Sequence, residues 1–233
     1  MNGISLLQGL DFSPLIISLK TGFVATVICF FLGLFAAAKT VKAGPRLRAV
    51  LDGFLSLPMV IPPTAVGFFL LFIFSRRRMV GKMLFDTFGV SVIQTWAGCI
   101  LAASVIAFPL MYRNARAAFE QVDSNLVYAA RTLGINEKTI FWKIIVPNAL
   151  PGILSGTVLT FARALGEFGA TSMIAGNIAG KTSTVSQKIA MVIQDGNYAV
   201  AGFFSVVVMA AAFIIIVLMN LFMGKLSKTK RKW

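Results

Sequence analysis

The sequence predicts an all-α polytopic membrane protein, and three observations carry that expectation. The chain of 233 residues is 58% hydrophobic and only 13% charged, against roughly a quarter charged in ordinary soluble domains. Its mean hydropathy is +0.85. Several apolar runs approach or exceed the ~20 residues that a helix needs to cross a bilayer, and short alternating barrel strands are not the pattern.

The runs define five expected spans in a single domain covering 1–233. Span one covers about 14–38 and closes at Lys39. No basic segment with a cleavage site precedes it, so it reads as a retained span rather than a leader. Span two covers about 50–74 and is interrupted by LPMVIPP. Pro58, Pro62 and Pro63 remove helical hydrogen bonds there. Such breaks mark either packing kinks or transport sites, where neighbours or water satisfy the freed carbonyls. Span three covers about 90–112, with Pro109 near its end. Span four covers about 149–175 and span five about 200–223. The apolar segment 185–193 is too short to cross, and DGN at 195–197 reads as a turn.

Net charge is +14. The bases lie mostly between and after the spans, where topology accounts for them, and no basic helix or aromatic platform points to nucleic acid. Lys39, Lys42, Arg46, Arg48, Arg113, Arg116, Arg131, Lys138, Lys143 and the tail KLSKTKRKW would share one side. They outnumber the bases on the other side, so the N-terminus is expected outside and the C-terminus in the cytoplasm. Arg76, Arg77 and Arg78 oppose that bias. If outside, they form a basic cluster that lipid, an acidic partner surface or an anionic substrate would attract. The chain has no His, and Cys29 and Cys99 both fall inside spans, so no metal-ligand cluster and no cofactor is expected.

The segment YAARTLGINEKTIFWKIIVPNALP stands between spans three and four. Asp123 or Ser124 can cap a first short helix, and Gly134 suits the left-handed position that ends it. Asn136 can cap a second helix with Glu137 in its first turn. Ile140, Phe141, Ile144 and Ile145 give that helix an apolar face, and Pro147 is expected to break it. The segment is thus an elbow over about 123–147. It could rest among lipid head groups or plug a groove on a soluble partner.

Arg163 and Glu167 share one face of span four. Charges at membrane depth are paired or face a cavity. They therefore either shape a translocation path or tie the helix to its neighbours. Gly166 and Gly169 permit close packing or a bend. Thr160, Arg163 and Thr171 are expected to face the path. GNIAGKTS resembles a phosphate loop, but Gly176 and Gly180 stand one residue too close, and no strand precedes it. Nucleotide binding is rejected there.

The elbow also resembles the EAA motif of ABC-importer permeases. Ala129, Ala130, Gly134, Ile144 and Pro147 stand at the motif's spacing, whereas Tyr128 replaces its Glu and Val146 its Leu. LPMVIPPTAVGFFLL, FPLMYRNARAAFEQVD and FARALGEFGATSMIAGNIAGKTST resemble the molybdate, tungstate and sulfate branch of that family, in the same order along nearly the whole chain. The five-span length resembles that of molybdate permeases without an extra N-terminal helix. The resemblance implies a type I ABC-importer permease fold in a prokaryotic cell membrane and a homodimer with the path on its axis. It further implies two ATPase subunits docked on the elbows, and an extracytoplasmic oxyanion-binding protein. It implies transport of molybdate without catalysis by this chain, with sulfate or tungstate as alternative cargo. On that reading the five motif residues couple to the ATPase, while Pro62, Arg163, Glu167 and Gly169 belong to the path or gate. A channel would not need the elbow. An intramembrane enzyme would need a carboxylate pair or a His or Cys/His site, and neither is present.

Overall fold

The computed structural model describes the backbone of residues 11–230 and side chains through residue 221. Within these residues eleven α-helices follow one another without a strand: α1 (Ser13–Val41), α2 (Pro45–Val60), α3 (Pro63–Phe74), α4 (Met79–Phe88), α5 (Trp96–Glu120), α6 (Ser124–Thr132), α7 (Glu137–Ile140), α8 (Val146–Leu165), α9 (Gly169–Ala175), α10 (Val185–Gln194) and α11 (Tyr198–Lys230). A π turn, Phe141–Ile145, joins α7 to α8. The last residues of the basic tail lie outside the described ones.

The centre is α5, packed between α1 and α8. Small side chains allow the close approach: Ala103, Ala107 and Ala115 of α5 are fully buried against Ala25, Cys29 and Ala37 of α1. A Cβ on Gly33 would stand 2.8 Å from Met111 Cγ. A second cluster joins α3, α5 and α9 through Val66, Leu70, Cys99, Ala102 and Ile174. By length and hydropathy α1, α5, 137–165 and 198–221 can each cross a membrane, and α2 with α3 makes a fifth crossing if taken together.

Four boundaries differ from the sequence expectation. Span two is two helices bent by 106°, and of its three prolines Pro58 stays inside the first helix instead of breaking it. The residue before a proline is pushed extended, and Ile61 and Pro62 both take extended backbone before Pro63 opens α3. Span three begins at Trp96 rather than 90. Residues 89–95 form a turn in which Gln94 N–H donates to Ile174 O at 3.0 Å, and the helix continues to Glu120. Span four stops at Leu165, and the chain resumes helix only at Gly169. The helix from Glu137 does not end at Pro147. Val146 N–H reaches back to Phe141 O, widening one turn into a π turn just before the proline. This accommodates a residue that lacks an N–H and crowds the carbonyl four positions earlier.

At the end of the bundle away from the elbow, polar contacts fix the loop after α9. Trp96 Nε1 donates to Thr21 Oγ1 at 2.8 Å, Val185 N–H to Ser18 Oγ at 2.8 Å, and Gln187 Nε2 to Gly176 O at 2.7 Å. The first ties α5 to α1, the second holds the end of the 176–184 loop on α1, and the third closes the loop on itself.

Candidate functional sites: an elbow and a pair of abutting helix breaks

The elbow is built by its caps. Asp123 accepts from Asn125 N–H at 2.9 Å, and Asn136 accepts from Thr139 N–H at 2.8 Å. Gly134 has φ +72°. Its N–H bonds Arg131 O at 2.9 Å, and Ile135 N–H bonds Ala130 O at 3.1 Å, the paired closure that a left-handed C′ residue permits. Arg131 and Glu137 brace the two arms across this turn at 2.6 Å. Glu137 beside it, through a hydrogen bond, holds the exposed Arg131 guanidinium above its ordinary range.

The face Ile140, Phe141, Ile144, Ile145 turns inward. Ile140 is fully buried, Phe141 meets Phe119 in a tilted ring contact with centroids 5.6 Å apart, and Phe141 and Ile145 pack on the α1–α5–α8 core. It therefore packs on the protein's own core. Facing out instead are Tyr128, Leu133 and Trp142, at 60%, 78% and 67% exposure. Of the motif residues, Ala130 is buried, Ala129 and Gly134 are exposed, and Ile144 and Pro147 are half-buried. Tyr128, at the motif's acidic position, projects from the outward side of α6, with Arg131 5.9 Å over its ring.

The second site is where two broken helices meet. A Cβ on Gly169 would lie 3.0 Å from Pro63 Cβ and 3.2 Å from Thr64 N. One on Gly67 would lie 2.7 Å from Ala170 Cα. Both first turns therefore abut, bringing Pro63 and Gly169 together from elements a hundred residues apart in sequence, with Pro62 just before that contact. Glu167 lies in the break before α9 with its side chain 2% exposed. One carboxylate oxygen accepts from Ala170 N–H at 2.7 Å, and the other takes Arg163 Nη1 at 2.8 Å. The carboxylate straps α8 to α9 and occupies the donor end of α9. Arg163 keeps a third of its side chain exposed. Thr160 and Thr171, expected to face a path, are buried within the fold, and Thr160 Oγ1 donates back to Gly156 O at 2.7 Å.

A third cluster was missed in the sequence. Asp52 of α2 accepts from the Tyr112 hydroxyl and pairs with Arg116 of α5. Arg116 Nε also donates to Glu120 at 2.9 Å, and Arg48 bridges Glu120 at 3.4 Å and Val41 O at 2.6 Å. The available signal was Asp52, an acid inside an apolar run, which calls for a buried partner. The partners stand sixty or more residues away, beyond the reach of helical spacing. Beneath α2, a cavity of about 700 Å³ opens between α1, α3 and α5, lined by Cys29, Phe54, Pro58, Leu70 and Phe108 among others.

These features define a polytopic helical permease with a protruding elbow and interrupted helices. Residues 30–232 match the model of the binding-protein-dependent transport system inner membrane component family, and the chain belongs to that family. The molybdenum transport system permease protein ModB of Escherichia coli is 43% identical over 184 residues, covering 79% of this chain and 80% of that one. The sulfate transport system permease protein CysT of Escherichia coli is 31% identical over 204 residues, covering 88% and 73%. An inward-facing structure of the MetNI methionine ABC transporter superposes with a TM-score of 0.72 at 18% identity, covering 91% of this chain and 94% of its own. The fold is that of a type I ABC-importer permease.

Proposed function

We propose that this chain is the membrane-spanning permease subunit of an ATP-driven importer that carries molybdate into the cytoplasm. The observation that carries this reading is the 43% identity, over most of both chains, to a molybdenum permease. The more distant sulfate relative matches at 31%.

The elbow supplies the mechanism. Its inward face is committed to the core, and Tyr128, Leu133 and Trp142 are left exposed on a capped, rigid turn. Exposed aromatic and aliphatic side chains on a helix are what a groove on a partner receives. Ala129, Ala130, Gly134, Ile144 and Pro147 shape that projection, and a separate ATPase subunit docks on it. Two permease chains place two elbows before two ATPases, with the path on the dimer axis. An extracytoplasmic binding protein delivers the oxyanion. ATP hydrolysis belongs to the partner, and this chain performs no bond chemistry.

The abutting breaks at Pro62 and Gly169 act as the gate. Interrupted helices are a recurrent transporter device. Glu167 already neutralises Arg163 and fills the donor end of α9, so the break is built to hold shape rather than to cage an anion. Cargo choice then rests largely with the binding protein.

The test is uptake of radiolabelled molybdate by proteoliposomes carrying the permease, its ATPase and its binding protein. ATP-dependent uptake that survives a hundredfold excess of sulfate is the expected outcome, on the order of two decades of selectivity. Sulfate uptake that molybdate does not suppress would assign the sulfate alternative.

A further inference from the structure

We infer that Asp52, Tyr112 and Arg116 form a latch that couples the elbow to the hinged helix α2, making them positioning residues for transport; this rests on the reading of the elbow as the ATPase docking site. Four observations converge on it.

First, α2 is loosely held: none of its residues is buried. Its polar ties to the rest of the fold run from Asp52 to Tyr112 and Arg116, and from Arg48 to Glu120 and Val41 O. Second, its far end is a hinge. Ile61 and Pro62 are extended, and α3 leaves at 106°. Third, there is space to move into, since the apolar cavity of about 700 Å³ lies under Phe54, Leu57 and Pro58. Fourth, the α5 side of the latch adjoins the elbow. Glu120 is the last residue of α5, and Asp123, three residues on, caps α6.

The chemistry of the latch suits two arrangements. Tyr112 is fully buried and stacked on Phe108 at 6.2 Å, so its hydroxyl is a fixed post for the Asp52 carboxylate. Arg116 shares its donors between Asp52 on α2 and Glu120 on its own helix. A shift of α2 can release the first carboxylate while the second keeps the guanidinium paired. Arg48 Nε is buried with no acceptor, and an unpaired buried donor favours any neighbouring arrangement that satisfies it. Displacement of the elbow by the ATPase therefore moves the end of α5, and the latch transmits that displacement to α2. The hinge at Ile61–Pro62 then carries it to α3, whose first turn forms the gate with Gly169.

The experiment uses the reconstituted importer and two variants. Asp52→Asn removes the ionic tie. Tyr112→Phe deletes only the hydroxyl and keeps the stacked ring. Spin labels at Leu57 on α2 and Leu126 on α6 report the distance between hinge helix and elbow, with and without a non-hydrolysable ATP analogue. In the unmodified permease that distance should change on nucleotide binding. In both variants the change should be lost, and molybdate uptake per ATP hydrolysed should fall about tenfold, the size of an ordinary coupling between sites. Co-purification of the ATPase should persist. Overturning results are an unaltered distance change with full uptake, or losses of uptake, hydrolysis and assembly in equal proportion in both variants, which would mark a purely structural tie. Absence of molybdate uptake by the unmodified system would refute the cargo reading instead, and the label distances would still decide the latch.

Discussion

Gly134 carries the elbow's geometry in one residue. Its φ of +72° places the chain where a Cβ is disfavoured, and both of its neighbouring closures depend on that conformation. A β-branched side chain there costs about 1–2 kcal/mol against left-handed backbone. No neighbouring atom lies within 4 Å of a Cβ built there, so the penalty is conformational rather than steric. Gly134→Val is expected to leave the permease folded, because Ile140 and Phe141 still anchor the second arm. The exposed set Tyr128 and Leu133 would lose its orientation. Proteoliposome uptake should drop by about an order of magnitude at unchanged expression, a coupling of one to two kcal/mol; wild-type uptake by this variant would remove the turn from the mechanism. The caps and this glycine were readable in advance because capping is local chemistry. Tyr128 was readable only as a departure from a motif, and its outward aromatic placement needed the fold.

At the scale of elements, the interruptions decide the architecture. Prolines announced the first break, since their effect on the preceding residue is local. The second break, at 166–168, was legible only as flexibility in Gly166 and Gly169. What places it is Glu167, which turns away from a continuous helix to cap α9 while pairing with Arg163. Helical spacing correctly joined Arg163 to Glu167, yet the pair spans a break rather than one helix face. Removing a partner from a buried pair leaves an uncompensated charge, and partial exposure of Arg163 softens the loss. Glu167→Ala should therefore lower stability by about 2–4 kcal/mol, seen as a lower midpoint of thermal unfolding in detergent. Glu167→Gln keeps an acceptor for Ala170 N–H and should lose less. Equal midpoints for Glu167→Ala and the unmodified chain would show that the strap does not hold α8 to α9. Likewise π-turn widening before Pro147 was not visible in a pattern that treats proline as a stop. Continuous packing of Phe141 and Ile145 on the core keeps the helix intact through it.

At the scale of the whole molecule, the two ends of the bundle differ in chemistry. Lys42 lies 5.4 Å over the Phe141 ring, and Arg48 reaches Glu120. The C-terminal end of α1, the start of α2, the end of α5 and the elbow thus gather at one end, and they carry most of the bases between spans. At the other end, Val185 N–H meets Ser18 of α1, and Thr182 of the loop 176–184 accepts from Cys99 of α5. Basic residues are retained on the cytoplasmic side of short loops, so we propose the elbow end for the cytoplasm and the 176–184 loop for the outside. The family fold was legible because apolar runs and motif order survive in one dimension. The long-range ion network was not, because its members converge only after α2 folds back on α5. Orientation is testable directly with a membrane-impermeant thiol reagent. Cys29 and Cys99 are buried and stay silent, whereas Lys181 and Leu133 are exposed at opposite ends. Lys181→Cys should label in intact cells and Leu133→Cys only after permeabilisation. The reverse pattern would invert the topology, remove the elbow from the side where ATP is available, and with it the docking mechanism.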